Sequence, residues 1–344
     1  MFKAETVRPS TPGHYKQNEA AVAESQAQER HIHYPPVPNG IDYLRDVVDR
    51  LAGEDGEPSE RDLKYAVLHL QAAAEVLLKA RLRDAHWSLV ISRADKTNRK
   101  KFETGDFESA TTHETVRRLV DVVGIDISEN DKQTLLNLAT TRNKLQHWGI
   151  TEKANAVVTE AASVLDFLIR FLDQHILPNL DADDEEAIEV DLEEIRTGLR
   201  KIESYVASRM ERLQAGDLKG HETRTVRCPD CQHPSLIIDG SANKCFFCPR
   251  DWADPLELAS AYDEAFCYFP SNGEAHEDTL VDCPDCDTPT LVLEAETVAS
   301  DKSVYLCFNC AEVQDGLWDC ARCGRLYRPV DEEAICSDCF ADLG

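Results

Sequence analysis

The sequence predicts a mainly α protein: an N-terminal all-α helical bundle, a helical, coiled-coil-like spacer, and small β modules built around metal. Three observations carry this. Apolar residues recur at helical spacing between Ile41 and Leu177. From Ile188 to Leu213 they recur at steps of four and three. Between Cys228 and Cys339, twelve cysteines fall into six C-x-x-C pairs. A chain of 344 residues has room for two or three cores.

With 42% hydrophobic and 29% charged residues, the chain has no apolar run as long as a membrane helix, roughly 18 residues. Its opening stretch, MFKAETVRPSTPGHYK, has no apolar signal core, so the expected location is cytoplasmic. In a reducing compartment, cysteines at this spacing point to metal rather than disulfides. The net charge of −27 argues against a general nucleic-acid-binding surface. That charge is uneven: residues 217–344 hold 26 acidic and nine basic side chains, whereas residues 61–153 hold 16 basic and 13 acidic. A polyanion is therefore repelled by the tail and tolerated only by the helical region.

Taken in order, residues 1–40 are polar and aperiodic and are expected to be disordered, with His31 and His33 as incidental tail residues. Residues 41–178 read as five helices. Ile41, Leu44, Val47, Val48 and Leu51 form an apolar face that stops at Gly53. Ser59-Glu60-Arg61-Asp62 is a capping-box start for a helix running to about Arg83. Residues 92–110 form a polar loop carrying Arg93, Lys96, Arg99, Lys100 and Lys101, read either as a solvated run or as a phosphate-attracting edge. A short helix from Thr112 ends at Gly124. Another is capped by Ser128 and closes near Gly149, and a fifth runs from about Glu152 to Leu177 and stops at Pro178.

Residues 179–216 begin with the acidic run Asp181–Glu186. They continue with a heptad-like seam of Ile188, Leu192, Ile195, Leu199, Ile202, Val206 and Leu213, interrupted at Arg209. The seam fits a coiled coil or a helix folded back on its own bundle.

Residues 217–270 and 271–344 hold the cysteine modules. Cys228 and Cys231 precede Cys245 and Cys248; Cys283 and Cys286 precede Cys307 and Cys310; Cys320 and Cys323 precede Cys336 and Cys339. Each C-x-x-C puts two thiolates on one metal, and two such turns complete a tetrahedron. The pattern predicts about three structural Zn²⁺ ions per chain, with iron as an alternative metal and a crossed pairing of the last four turns left open. Leu236-Ile237-Ile238 and Leu291-Val292-Leu293 suit the hairpins of zinc ribbons, which the tail resembles generically. Chelation is expected to unfold this tail and spare the helices. Cys267, flanked by Phe266 and Tyr268, reads as a buried apolar thiol.

Arg142, Asn143 and His147 sit near the end of a predicted helix. Histidine moves protons near neutral pH, and arginine can neutralise a crowded phosphorane, so the pair suits cleavage of RNA by its own 2′-hydroxyl. On an ideal helix the two residues lie about 140° apart, while Asn143 and His147 are neighbours one turn apart, so the amide could orient the imidazole. Arg142-Asn143-Lys144-Leu145-Gln146-His147 resembles the R-N-x-x-x-H form of the Arg-x(4–6)-His motif of HEPN domains (higher eukaryotes and prokaryotes nucleotide-binding). The helix around Glu75 and Lys79 resembles that family's Glu-x-x-x-Lys helix, so the resemblance covers about residues 41–178.

It implies an all-α homodimer, RNA as substrate, and a metal-independent endoribonuclease of the kind found in toxin–antitoxin and phage-defence systems. Arg142 and His147 would be catalytic and Asn143 orienting. The acidic ribbon tail would then recognise a target or a protein partner such as an antitoxin. The competing expectations are a catalytically silent dimeric adaptor and an RNA- or nucleotide-binding regulator, each with structural zinc ribbons.

Overall fold

The computed structural model describes residues 32–53, 57–240, 242–267, 279–329 and 334–342. Residues 1–31 lie outside that set. The chain is mainly α, with helices first and small antiparallel sheets toward its C-terminal end.

Helix α1 spans Pro36–Ala52, so residues 36–40 are helical rather than part of a disordered tail. The proline opens the helix, where its missing N–H costs nothing. Gly40 explains why the helix must start early: a Cβ there would sit 2.5 Å from the Leu77 side chain, so the helix crosses its neighbour at backbone distance. That neighbour, α2 (Glu60–Ala85), is the centre of the bundle. Its capping box forms as expected, with Ser59 accepting from the Asp62 amide and Asp62 answering to the Ser59 amide. Leu63, Val67, Leu70, Ala74, Leu77 and Leu78 are all buried.

Residues 92–108 are not a plain loop. They carry a 3₁₀ turn and a short helix, α3 (Arg99–Glu103). Helix α4 (Thr112–Arg118) has its own Thr111–Glu114 capping box and continues as a π turn to Val123. Gly124, at φ 80°, then reverses the chain in a backbone region open to glycine. Helix α5 (Glu129–His147) is capped by Ser128 and stopped by Gly149, at φ 92°. Helix α6 (Ala154–Phe171) supplies the most apolar wall of the core. It runs on as a π turn to Ile176 and a 3₁₀ turn over Leu177–Asn179.

The heptad-like segment is a correction to the coiled-coil expectation. It breaks into α7 (Ala182–Leu199) and α8 (Glu203–Ala215), and both fold back on their own bundle. Ile188, Leu192, Ile195, Leu199, Ile202 and Leu213 are buried within this chain, so the seam is consumed internally and has no apolar stripe left for a second helix. Gly198 marks the tightest crossing, where a Cβ would lie 2.3 Å from Val48.

Three small antiparallel sheets follow. The first orders β1 (Thr225–Arg227), β2 (Pro234–Ile237), β3 (Asn243–Cys245) and β4 (Asp251–Trp252) consecutively. After α9 (Pro255–Tyr262) comes a sheet of β5 (Leu280–Val281), β6 (Leu291–Ala295) and β7 (Val304–Cys307). The last pair is β8 (Trp318–Asp319) with β9 (Leu326–Tyr327), followed by α10 (Ser337–Ala341).

One apolar core runs from α1 through the helices into Leu236, Ile238, Phe247 and Trp252 in and beside the first sheet, and on to Val292, Ala295, Leu306 and Phe308 in and beside the second. Backbone bonds Val298 N–H to Thr225 O (2.9 Å) and Ala299 N–H to Glu222 O (3.1 Å) seal the two sheets together. No helix among the described residues is long and apolar enough to cross a membrane.

Candidate metal centres and the Arg–His helix

The twelve paired cysteines gather into three groups of four, each with its sulfurs within 4.8 Å of one another. The pairing follows the chain: Cys228, Cys231, Cys245 and Cys248; Cys283, Cys286, Cys307 and Cys310; Cys320, Cys323, Cys336 and Cys339. This removes the crossed arrangement.

Four of the six C-x-x-C turns share one local cause; Cys248 is followed by Pro249, which has no N–H to donate, and Cys339 lies in α10. The residue after a C-x-x-C donates its amide back to the first cysteine carbonyl, as in Gln232 to Cys228 (2.9 Å), Asp287 to Cys283 (2.8 Å), Ala311 to Cys307 (2.9 Å) and Gly324 to Cys320 (2.8 Å). Those four residues have φ of 65°, 54°, 61° and 74°, the left-handed turn that swings both sulfurs to one side.

The sulfur separations test whether a metal fits. Cys228 and Cys248 are 3.8 Å apart, Cys231 and Cys245 3.6 Å, Cys283 and Cys310 3.7 Å, Cys286 and Cys307 3.7 Å, and Cys323 and Cys336 3.8 Å. A disulfide needs about 2.05 Å. Four thiolates about 2.3 Å from one tetrahedral ion stand about 3.8 Å apart, so all three groups could hold a metal ion. Donors toward the sulfurs are also in place: the Ser235 hydroxyl lies 3.3 Å from Cys245, Thr290 3.3 Å from Cys307, and the Cys310 amide 3.3 Å from Cys307 Sγ. Such contacts stabilise thiolate charge and orient the ligand. Cys267 belongs to no group. It is buried, and desolvation pushes its thiol up to about 12, so it stays an inert apolar side chain.

Arg142, Asn143 and His147 lie on the last two turns of α5, with Asn143 and His147 exposed and Arg142 half-buried. The helix is regular through His147, so arginine and histidine stay on different faces. Asn143 does not orient the imidazole: its Oδ1 accepts from Arg142 Nη1 at 2.9 Å, and His147 makes no side-chain hydrogen bond among the described residues. The next residue, Trp148, is 91% exposed.

Glu75 and Lys79 face α4 and its approach rather than this helix end. Lys79 Nζ reaches Glu75 at 3.4 Å and Ser109 at 3.1 Å, while Gln71 joins Glu75 (3.1 Å) to Thr112 (3.0 Å). Their arrangement is that of a brace between elements.

One constellation was signalled in the sequence only by Arg209 breaking an apolar seam. Asp166, almost fully buried, accepts from Arg209 (3.0 Å), Arg212 (2.8 Å) and Arg170 (3.2 Å). Burial pushes its carboxyl up, but the three guanidinium groups outweigh that and hold it below the usual carboxylate range. Arg209 also donates to the Phe246 carbonyl at 3.2 Å, inside the second turn of the first metal group. Arg170 donates to Asp131 at 2.9 Å, in the first turn of α5. Hydrogen bonds therefore run without a break from the first metal group to the helix that carries Arg142 and His147. No family model, no curated protein and no solved structure matches this chain.

Proposed function

We propose that the chain is a metal-independent RNA endonuclease of HEPN type, with Arg142 and His147 as its reacting groups and three structural Zn²⁺ ions in its ribbons. The observation that supports it most is the exposure of His147 and partial exposure of Arg142 at one end of a capped helix, with the His147 ring free of a partner among the described residues. A proton-transfer group needs that freedom, and a phosphate-binding cation needs a surface position. Because the two lie on different faces of a straight helix, the reading places the complete site between two copies of the chain, each offering one of the pair. In that site His147 moves the 2′-hydroxyl or leaving-group proton, and Arg142 stabilises the charged phosphorane. Asn143 then holds the guanidinium rather than the imidazole. With four cysteine ligands each, the metal groups would have no open coordination position and so a structural role.

The test is incubation of the protein with unstructured RNA in EDTA for short times. The expected products carry a 2′,3′-cyclic phosphate and a 5′-hydroxyl, and 2′-O-methylated RNA is spared. Arg142→Ala should cost about 2–4 kcal/mol of transition-state stabilisation, and His147→Ala about 10²–10⁴ in rate. Two variants that fold and cut like the parent would refute the assignment. Zinc is checked by elemental analysis, with about three per chain expected.

A second reading, a catalytically silent adaptor, is favoured by Trp318 and Phe340, which lie exposed at 46% and 57% on the third cysteine module. An inert parent with a protein captured through those two side chains would support it.

A further inference from the structure

We propose that residues 92–108 form a preorganised cationic surface that holds the phosphate backbone of single-stranded RNA. The proposal rests on the nuclease reading for the choice of RNA among polyanions, and it supplies the substrate-binding surface which that reading otherwise lacks.

Between positions 93 and 101 the chain presents Arg93, Lys96, Arg99, Lys100 and Lys101, all exposed, against the single carboxylate Asp95. Arg99 pairs with Glu103 at 2.8 Å, and Lys101 approaches Asp106 only to 3.9 Å. Arg93, Lys96 and Lys100 have no ion-pair partner among the described residues. In a protein of net charge −27, three unpaired cations this close together could have been neutralised by neighbours and are not.

The segment is also held in shape. Its two ends are closed by the Ile91–Ser109 bridge, with Ser92 N–H to Glu108 O at 2.9 Å and Ala110 N–H to Val90 O at 2.8 Å. Arg118 clamps the 3₁₀ turn and the residue that enters the segment, donating to the carbonyls of Leu89 and Ile91 at 2.7 Å each. A run of rings, Trp87 to Phe102 (5.3 Å) to Phe102's neighbour Phe107 (5.2 Å), fills the interior, and Arg99 stacks over Trp87 at 5.5 Å. A solvated run needs none of this scaffolding. A surface that must meet phosphates gains from it, because the ordering cost is met in folding rather than on binding.

Arg93, Lys96 and Lys101 further line an open cleft of about 460 Å³ with Thr97, room for a phosphate and part of its sugar; Asp106 and Glu108 line it too, leaving the cations in the majority. The short cationic run favours a flexible single strand. A duplex would have to lie along a longer surface and meet the strongly acidic tail.

The experiment is fluorescence anisotropy of a labelled, uncleavable 2′-O-methyl oligonucleotide, titrated with the full chain at several salt concentrations. The triple variant Arg93→Gln, Lys96→Gln, Lys100→Gln should bind at least about tenfold more weakly at low salt. Its log affinity against log salt should be shallower by about 2, from three lost phosphate contacts at about 0.7 each on a single strand. Circular dichroism checks that the variant keeps its helices, as exposed unpaired side chains should allow. Because the 2′-O-methyl probe cannot be cut, loss of binding is read separately from loss of cutting, which is scored on unmodified RNA. Equal affinity and slope in parent and triple variant overturn the proposal even if RNA is cut. So does a parent that does not bind the oligonucleotide, or one that binds anionic lipid vesicles through these residues in its place.

Discussion

The first and third cysteine modules share their ligand spacing logic and their knuckle turns, yet they stand in opposite relations to the rest of the chain. Around the first, Cys228 and Cys245 are fully buried, and Leu236, Phe247 and Trp252 belong to the same core as the helices. Its Phe246 carbonyl completes the hydrogen bonding of Arg209, which sits inside the bundle. The third has a core of its own made of Cys320, Cys336 and Cys339, with Tyr327 and Ile335 packed against it among the described residues. Its Cys323 is exposed. It meets the second module through Arg328, which reaches Gln314 at 2.7 Å and Asp285 at 3.2 Å.

The difference teaches that a metal knuckle can be a wall of a larger core or almost the whole of a small one. In a module with so little apolar surface, a bound metal would supply most of the folding energy. In the first module, the second cysteine turn also supplies the Phe246 carbonyl that accepts from the buried Arg209. Metal removal is therefore expected to reach the helices through the first module and to spare them at the third.

The sharpest way to break this comparison is to remove one ligand from each. Cys245→Ser should lower the midpoint of the helical unfolding transition and expose α8 amides to hydrogen exchange, whereas Cys339→Ser should leave both at parental values. Identical helical melting in the two variants would remove the distinction.

Next in size is Arg209→Met, which leaves Asp166 buried with two partners instead of three and the Phe246 carbonyl with one donor fewer. Breaking a buried pair from one side costs about 3–5 kcal/mol, and the remaining Arg212 and Arg170 place this case at the lower end. Urea unfolding would measure it; a change under about 1 kcal/mol would mean the buried network contributes little.

A smaller effect follows from the depressed carboxyl of Asp166. A carboxylate held below its unfolded value of about 3.9 contributes stability that is fully present above that pH and lost as pH falls through the lower, folded value. The stability gap between parent and Asp166→Asn should be constant from pH 7 to 5 and narrow below about pH 4. A gap that does not change with pH would show that the carboxylate's charge is not what the three arginines stabilise.

The smallest expected change is local. Arg170→Met removes the link to Asp131 at the start of α5, and hydrogen exchange should quicken in the first turn of that helix. Unchanged exchange there would show that the relay ends at Asp166.

Much of this molecule was legible in the sequence because its signals are local. Capping boxes need only residues three apart, so Ser59–Asp62 and the Ser128 cap could be read directly, and Gly124 and Gly149 mark turns that favour glycine. The cysteine groups were equally plain, since C-x-x-C turns are closed by their own backbone. Tertiary structure decided the rest. Whether Ile188 to Leu213 would zip with another chain or fold back depends on what lies opposite, and Gly198 against Val48 exists only in the folded chain. Asn143 could have served either Arg142 or His147, and only side-chain placement assigns it to the arginine. The partner of Arg209 lies 43 residues away in the chain and its second acceptor 37 away, distances at which composition and spacing carry no information. Local backbone preferences are written in short windows of sequence; the satisfaction of a buried charge is a property of everything that packs around it.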